Sequence, residues 1–134
     1  MNNKLHSLNR WLVIGLLLVA AVIYLSLTPV PPQLQLEFQF ADKLEHLLTY
    51  SVLMFWFGQL TLQRTRLLAA GLLILLGVAI EFLQGMTGFR QFDIFDMIAN
   101  TLGVMLGYWL SSSCFSDCFL NIERRIHNLK SRQA

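Results

Sequence analysis

Apolar residues in this chain are collected into four long runs, separated from one another by charged or helix-breaking residues. The first run, 11–27, contains no charged side chain over 17 positions, which approaches the roughly 20 that cross a bilayer as a helix. The pattern predicts helices at about 11–28, 41–60, 67–84 and 92–110. We therefore expect an all-α integral membrane four-helix bundle.

A cleaved signal peptide is the alternative interpretation of the first run. The apolar region of a signal peptide is usually shorter, and Pro29, Pro31 and Pro32 occupy the zone in which cleavage would be expected. We interpret 11–28 as the first transmembrane helix.

Composition supports a membrane protein over a soluble domain. Of 134 residues, 55% are hydrophobic and only 13% are charged, whereas soluble domains carry about 25% charged residues. The formal net charge of +2 gives no reason to expect a nucleic acid partner. We expect the lipid bilayer as the main partner, and neither nucleic acid nor a cofactor.

Basic residues predict the orientation. Four spanning helices would place both termini on one side of the membrane, together with eight of the ten Lys and Arg residues. Only Lys43 and Arg90 would lie on the other side. By the positive-inside rule, the N-terminus (1–10) and the tail (111–134) should be cytoplasmic, flanking a transmembrane domain at 11–110.

Three shorter segments have patterns of their own. Polar and apolar residues alternate over 33–40, which favours an extended segment on the membrane surface. In the tail, apolar residues recur at helical spacing opposite Glu123, Arg124 and Lys130, which predicts an amphipathic surface helix. Gly103 and Gly107 form a GxxxG pair that favours close helix packing, within the chain or in a homo-oligomer.

Polar side chains interrupt the apolar runs at one predicted level, the outer ends of helices two to four. On the second helix, positions 42, 45, 46, 49 and 50 fall on one face. Two sets of candidates follow from this convergence. The candidate acid–base residues are His46, Tyr50, Glu81, Asp93 and Asp96, and the candidate ligand-binding residues are Asp42, Lys43, Gln84, Arg90 and Asn100.

Some of these acids have a purely structural explanation. Acids in the first turn of a helix, such as Asp42 or Asp93, complement the helix dipole without any further role. Glu81 is different because it lies near the C-terminal end of its helix, where the dipole disfavours a negative charge. We expect a basic partner for it, with Arg90 or His46 nearest.

The charge balance of the cluster leaves three interpretations open. Five acids face Lys43 and Arg90, an excess of three negative charges when His46 is neutral. Some acids could be protonated, a cationic ligand could bind, or a divalent metal could be held by the carboxylates and the imidazole. Because no HxxxH or CxxC spacing is present, we predict no metal site. Cys114 and Cys118 have no metal-binding context either.

The ordered set of polar positions resembles the VanZ-like family of small multi-helix membrane proteins. The positions that carry the resemblance, over about 40–110, are Asp42, Lys43, His46, Tyr50, Glu81, Gln84, Arg90, Asp93, Asp96, Asn100, Gly103 and Gly107. The resemblance implies a bacterial cytoplasmic (inner) membrane location and a role in the cell envelope. The name-giving member is associated with resistance to the glycopeptide teicoplanin, and the resemblance supplies no reaction.

Two functions from different classes remain open. One is a non-enzymatic protein that binds an envelope component or excludes a glycopeptide from its target. The other is a small membrane enzyme that acts by acid–base chemistry on a lipid-linked or phosphorylated envelope intermediate. The excess of acids argues against an anionic substrate in the absence of a metal.

Overall fold

A computed structural model describes residues 7–29, 41–113 and 115–131, and within these residues the chain forms five α-helices and no strand. The helices are α1 (Leu8–Ser26), α2 (Ala41–Leu60), α3 (Gln63–Met86), α4 (Ile94–Ser112) and α5 (Cys118–Ser131). The all-α fold predicted from the sequence is confirmed for this part of the chain. The predictions for 33–40 and Cys114 lie outside the described residues.

Two helices, α1 and α3, are long and apolar enough to cross a membrane by length and composition. Most of the α1 surface is exposed, and its one buried residue, Gly15, packs against α2. A Cβ at Gly15 would meet the rings of Trp56 and Phe57. A helix whose apolar surface is so little covered by protein suits a lipid environment.

The most extensive helix contact joins α2 to α4 and depends on the two glycines of the GxxxG pair. A Cβ at Gly103 would collide with the carbonyl oxygen of Leu47, and one at Gly107 with that of Ser51. The Ser51 hydroxyl also donates to the Gly103 carbonyl, 3.0 Å away. The predicted close helix packing is confirmed. Within this chain, α2 fills the face that carries the pair.

Two helix boundaries differ from the predicted ones, at the start of α3 and at the end of α4. The basic segment 63–66, which lies between the predicted second and third helices, forms the start of α3, and Arg66 donates to the Ser111 carbonyl at 3.1 Å. Ser111 and Ser112, predicted to end the fourth helix, belong to α4. Their hydroxyls donate to the Tyr108 carbonyl, so the local hydrogen bonds of serine are made within the helix.

Helix α5 packs against the start of α1 and the end of α2. Phe119 is buried between two tryptophan rings, with centroids 4.2 Å from Trp11 and 4.8 Å from Trp56. Glu123 was predicted to lie opposite the apolar face. It instead accepts hydrogen bonds from the Ser7 N–H and the Trp11 indole, each at 2.9 Å. The reason is helical spacing, since Glu123 follows Phe119 by one turn and shares its face.

Candidate functional site

The start of α2, the end of α3 and the start of α4 meet at one end of the molecule, which we call the polar end. The end of α1 joins them through Gln84, whose amide donates to the Ser26 carbonyl at 2.9 Å. Gln84 is buried, and this hydrogen bond gives a predicted ligand-binding residue a structural role. The predicted convergence of polar residues from three segments is therefore present.

Lys43 is the centre of the charged part of the polar end. Its ammonium nitrogen lies 2.7 Å from Asp42 and 2.8 Å from Asp96, and it also contacts Asp93. We call these four residues the Lys43 cluster. Because Lys43 and Asp93 are 50 residues apart in the chain, the shared ammonium fastens the first turn of α2 to that of α4.

The three aspartates of the Lys43 cluster also have the spacing of a possible metal site, since one oxygen from each lies within 4.8 Å of the others. Oxygen ligands at that spacing suit a hard divalent cation. The Lys43 ammonium, however, is in direct contact with all three carboxylates and supplies the positive charge. The arrangement is explained as an internal ion-pair cluster without a metal.

Asp93 shows how local structure and charge combine at this cluster. It is the N-cap of α4, and its side chain accepts a hydrogen bond from the Phe95 N–H at 2.8 Å. The hydrogen bond from Lys43, followed by that from Phe95, lowers the pKa of Asp93 below its ordinary value. The helix-dipole explanation given for this residue from the sequence holds, and the lysine adds to it.

His46 connects the Lys43 cluster to the interior. Its Nδ1 lies 3.0 Å from Oδ1 of Asn100, and its Nε2 lies 3.8 Å from Oδ2 of Asp96. The imidazole therefore bridges two residues that are one turn apart on α4. A histidine held between a carboxylate and an amide is well placed to hold or move a proton.

Glu81 has a different partner from the one expected. Its side chain is 0% exposed, and Oε1 accepts a hydrogen bond from the backbone N–H of Asp93 at 2.9 Å. Within the described residues, neither Arg90 nor His46 forms an ion pair with it. The expected pairing was wrong because the loop at 87–93, with Gly88 at φ 77°, brings the start of α4 over Glu81. Arg90 is half-buried on that loop.

Four buried polar atoms at the polar end lack a hydrogen-bond partner within the described residues. They are Tyr50 Oη, Glu81 Oε2, Asp96 Oδ1 and Asn100 Nδ2. Of these, Asp96 Oδ1 lies 2.8 Å from the Lys43 ammonium and is compensated by that ion pair, which leaves three atoms without any polar partner in the described part of the chain. We call these four residues the central cluster. Buried polar groups are nearly always hydrogen-bonded, so three such atoms in one region are unusual for a packed core.

Gly77 lets two side chains of the central cluster pack closely against α3. A Cβ there would lie 3.1 Å from Asn100 Nδ2 and 3.2 Å from Tyr50 Cε1. Gly77 was not predicted as a site residue. The available signal was its spacing, since it lies one helical turn before Glu81 and hence on the same face of α3. The structure thus brings together nine of the ten predicted site residues, and Arg90 remains on the loop beside them.

The family described as VanZ/LLP1 matches residues 4–116, a range that contains both clusters and the glycine pair. Neither the curated proteins nor the solved structures include a match to this chain.

Proposed function

Because this chain belongs to the VanZ/LLP1 family, we propose that it is a multi-pass protein of the bacterial cytoplasmic membrane that binds a cell-envelope ligand at its polar end. In this proposal, α1 to α4 all cross the membrane and the polar end faces outward. Binding of an envelope component there, or exclusion of a glycopeptide such as teicoplanin from its target, would protect the cell. The ligand-binding site is the central cluster, with the Lys43 cluster holding it in shape.

The observation that supports a ligand site best is that Glu81 is fully buried and incompletely hydrogen-bonded. A fully buried carboxylate with one oxygen lacking a hydrogen bond is costly, since only its other oxygen is satisfied, by the Asp93 N–H. A neutral amide of the same size would accept that hydrogen bond without a buried charge. Retention of an acid at such a position is explained when a ligand completes its interactions.

The outward orientation is supported by the positions of the two helix ends. Helix α5 and the start of α1 contact each other through Glu123 and Trp11, at the end opposite the Lys43 cluster. Arg64, Arg66, Arg124 and Arg125 belong to that opposite end as well. The positive-inside rule would place these arginines in the cytoplasm, which leaves the polar end on the outer side.

A second candidate is a small membrane enzyme that uses acid–base chemistry. It is favoured by His46, which contacts Asp96 and Asn100 while the hydroxyl of Tyr50 has no partner one turn away. Such a set could transfer a proton to or from a bound substrate. Turnover of a lipid-linked envelope intermediate by the purified protein, lost in His46→Ala, would favour the enzyme over the binding protein.

The proposal is tested by teicoplanin susceptibility in cells that express the protein. Glu81→Gln keeps the shape of the side chain and removes its charge, so it should abolish protection at an unchanged amount of protein in the membrane. Asp117→Asn is the matched control because it removes one exposed carboxylate just before α5, at the opposite end. Protection that is equal in Glu81→Gln and in the wild type would overturn a ligand site at Glu81.

A further inference from the structure

The central cluster contains a specific set of hydrogen-bonding atoms. Glu81 Oε2 is an acceptor, the hydroxyl of Tyr50 can accept as well as donate, and Asn100 Nδ2 is a donor, whereas Asp96 Oδ1 is already paired with Lys43. A charged and a neutral acceptor together suit the N–H bonds of a primary ammonium group. The amide donor then requires an oxygen acceptor on the same ligand, close to the ammonium.

The charge of the polar end leads to the same class of ligand. The polar end holds five carboxylates, those of Asp42, Glu45, Glu81, Asp93 and Asp96, against the two basic side chains of Lys43 and Arg90, a net charge of −3 when His46 is neutral. A phosphate would bring more negative charge into this region. A bare divalent cation would be repelled by the N–H groups of Asn100, and Lys43 already occupies the centre of the aspartate trio.

We propose that the central cluster recognises a primary ammonium group with a neighbouring oxygen, the chemistry that aminoacyl esters and amino sugars share. The ammonium donates to Glu81 Oε2 and Tyr50 Oη, and the neighbouring oxygen accepts from Asn100 Nδ2. Asn100 and Tyr50 both approach α3 closely at Gly77, one helical turn before Glu81, so the three side chains lie in one region. The inference rests on the proposed function and specifies the ligand class of the same site.

The experiment uses the full chain purified in detergent and measures its thermal melting midpoint with chain-matched amphiphiles at neutral pH. The charged probes are glycine nonyl ester and nonyl glucosaminide. Their neutral counterparts are N-acetylglycine nonyl ester and nonyl glucoside, and nonyl phosphate is the anionic probe. The charged probes should raise the midpoint in a saturable way, and the other three should not. Tighter binding of the glycine ester would indicate an aminoacyl ester as the natural ligand. Tighter binding of nonyl glucosaminide would indicate an amino sugar.

Variants connect the effect to the central cluster. Glu81→Gln should bind the charged probe at least tenfold more weakly, because the charged acceptor is lost while the side-chain shape remains. Tyr50→Phe removes one neutral acceptor and should weaken binding roughly three- to tenfold. Asp117→Asn should bind like the wild type, which controls for a general effect of surface charge on a cationic amphiphile.

Three results would overturn the assignment of an ammonium ligand. They are equal stabilisation by the neutral counterparts, stabilisation by nonyl phosphate, and equal binding of the charged probes by the wild type and Glu81→Gln. These results are separable from a failure of the proposed function. If Glu81→Gln abolished protection from teicoplanin but the ammonium probes did not bind, the site would stand and the ligand class would be wrong.

Discussion

Each end of this molecule contains a buried or half-buried glutamate, and the two glutamates differ in their hydrogen bonding. At the end formed by α5 and the start of α1, one oxygen of Glu123 accepts hydrogen bonds from a backbone N–H and an indole N–H. The surrounding surface is aromatic, with Trp11 and Trp56 packed on Phe119. At the polar end, Glu81 accepts one backbone hydrogen bond and keeps its second oxygen without a partner.

This difference is the basis for proposing a ligand site at the polar end and a structural role for the aromatic end. Within the described residues, the aromatic end leaves one buried side-chain atom without a polar partner, Arg66 Nε, whereas the polar end leaves three, Tyr50 Oη, Glu81 Oε2 and Asn100 Nδ2. Apolar rings and satisfied donors are what stability alone favours. Unsatisfied polar atoms lower stability, and natural proteins keep such groups mainly where function requires them.

The largest expected effect comes from breaking the α2–α4 contact that supports the polar end. Gly103→Ala would place a Cβ against the carbonyl oxygen of Leu47, where neither backbone can move freely. We expect a loss of about 3 kcal/mol or more in the free energy of unfolding, or loss of folded protein. The measurement is folded yield and melting temperature in detergent.

The matched control is Gly71→Ala, on the exposed surface of α3. A Cβ at Gly71 meets nothing within 4 Å, and alanine favours a helix over glycine, so stability should hold or rise by up to about 1 kcal/mol. Equal melting temperatures for the two alanine variants would mean that the α2–α4 contact is not as close as described.

The next effect tests which basic residue compensates the acids. Lys43→Met should lower the free energy of unfolding by about 2 kcal/mol, less than for a fully buried pair because the Lys43 side chain is 24% exposed. Arg90→Met should change it by no more than about 0.5 kcal/mol, since Arg90 has no ion pair within the described residues. A larger loss in Arg90→Met than in Lys43→Met would reverse the assignment.

That comparison also shows how far the sequence could predict the site. The helical fold, the range of α2, the role of Gly103 and Gly107 and the resemblance to the VanZ family were predicted and are confirmed. Periodicity assigns a residue to a face, but it does not determine which donor a loop brings to that face. The conformation of the loop at Gly88 gave Glu81 a backbone partner in place of Arg90.

The docking of α5 could not be predicted for a related reason. Trp11, Trp56 and Phe119 lie on three helices that are far apart in the chain, and an amphipathic pattern predicts an apolar face without naming what covers it. For the same reason the sequence did not identify Gly77 as part of the site. Its role depends on α2 and α4 side chains that meet it only in the folded chain.

The smallest expected effect is on how the stability of the protein changes at acid pH. The pKa of Asp93 is lowered by Lys43, so the stability that this contact contributes is complete above the unfolded value of about 3.9 and is lost as the pH falls through the folded value. The difference in melting temperature between the wild type and Lys43→Met should therefore be constant from about pH 7 to 5 and narrow below about pH 4. If the difference in melting temperature disappeared between pH 7 and 5, the stabilisation would come from a group other than Asp93.

The measurement that tests the account most directly is the melting temperature of Glu81→Gln without any ligand. If Glu81 is kept for binding, the neutral amide removes an unfavourable buried charge while its carbonyl still accepts from the Asp93 N–H, so the variant should be as stable as the wild type or more so. Asp117→Asn again serves as the control. A fall of several degrees in Glu81→Gln alone would contradict the account, because it would make the carboxylate a structural element of the polar end.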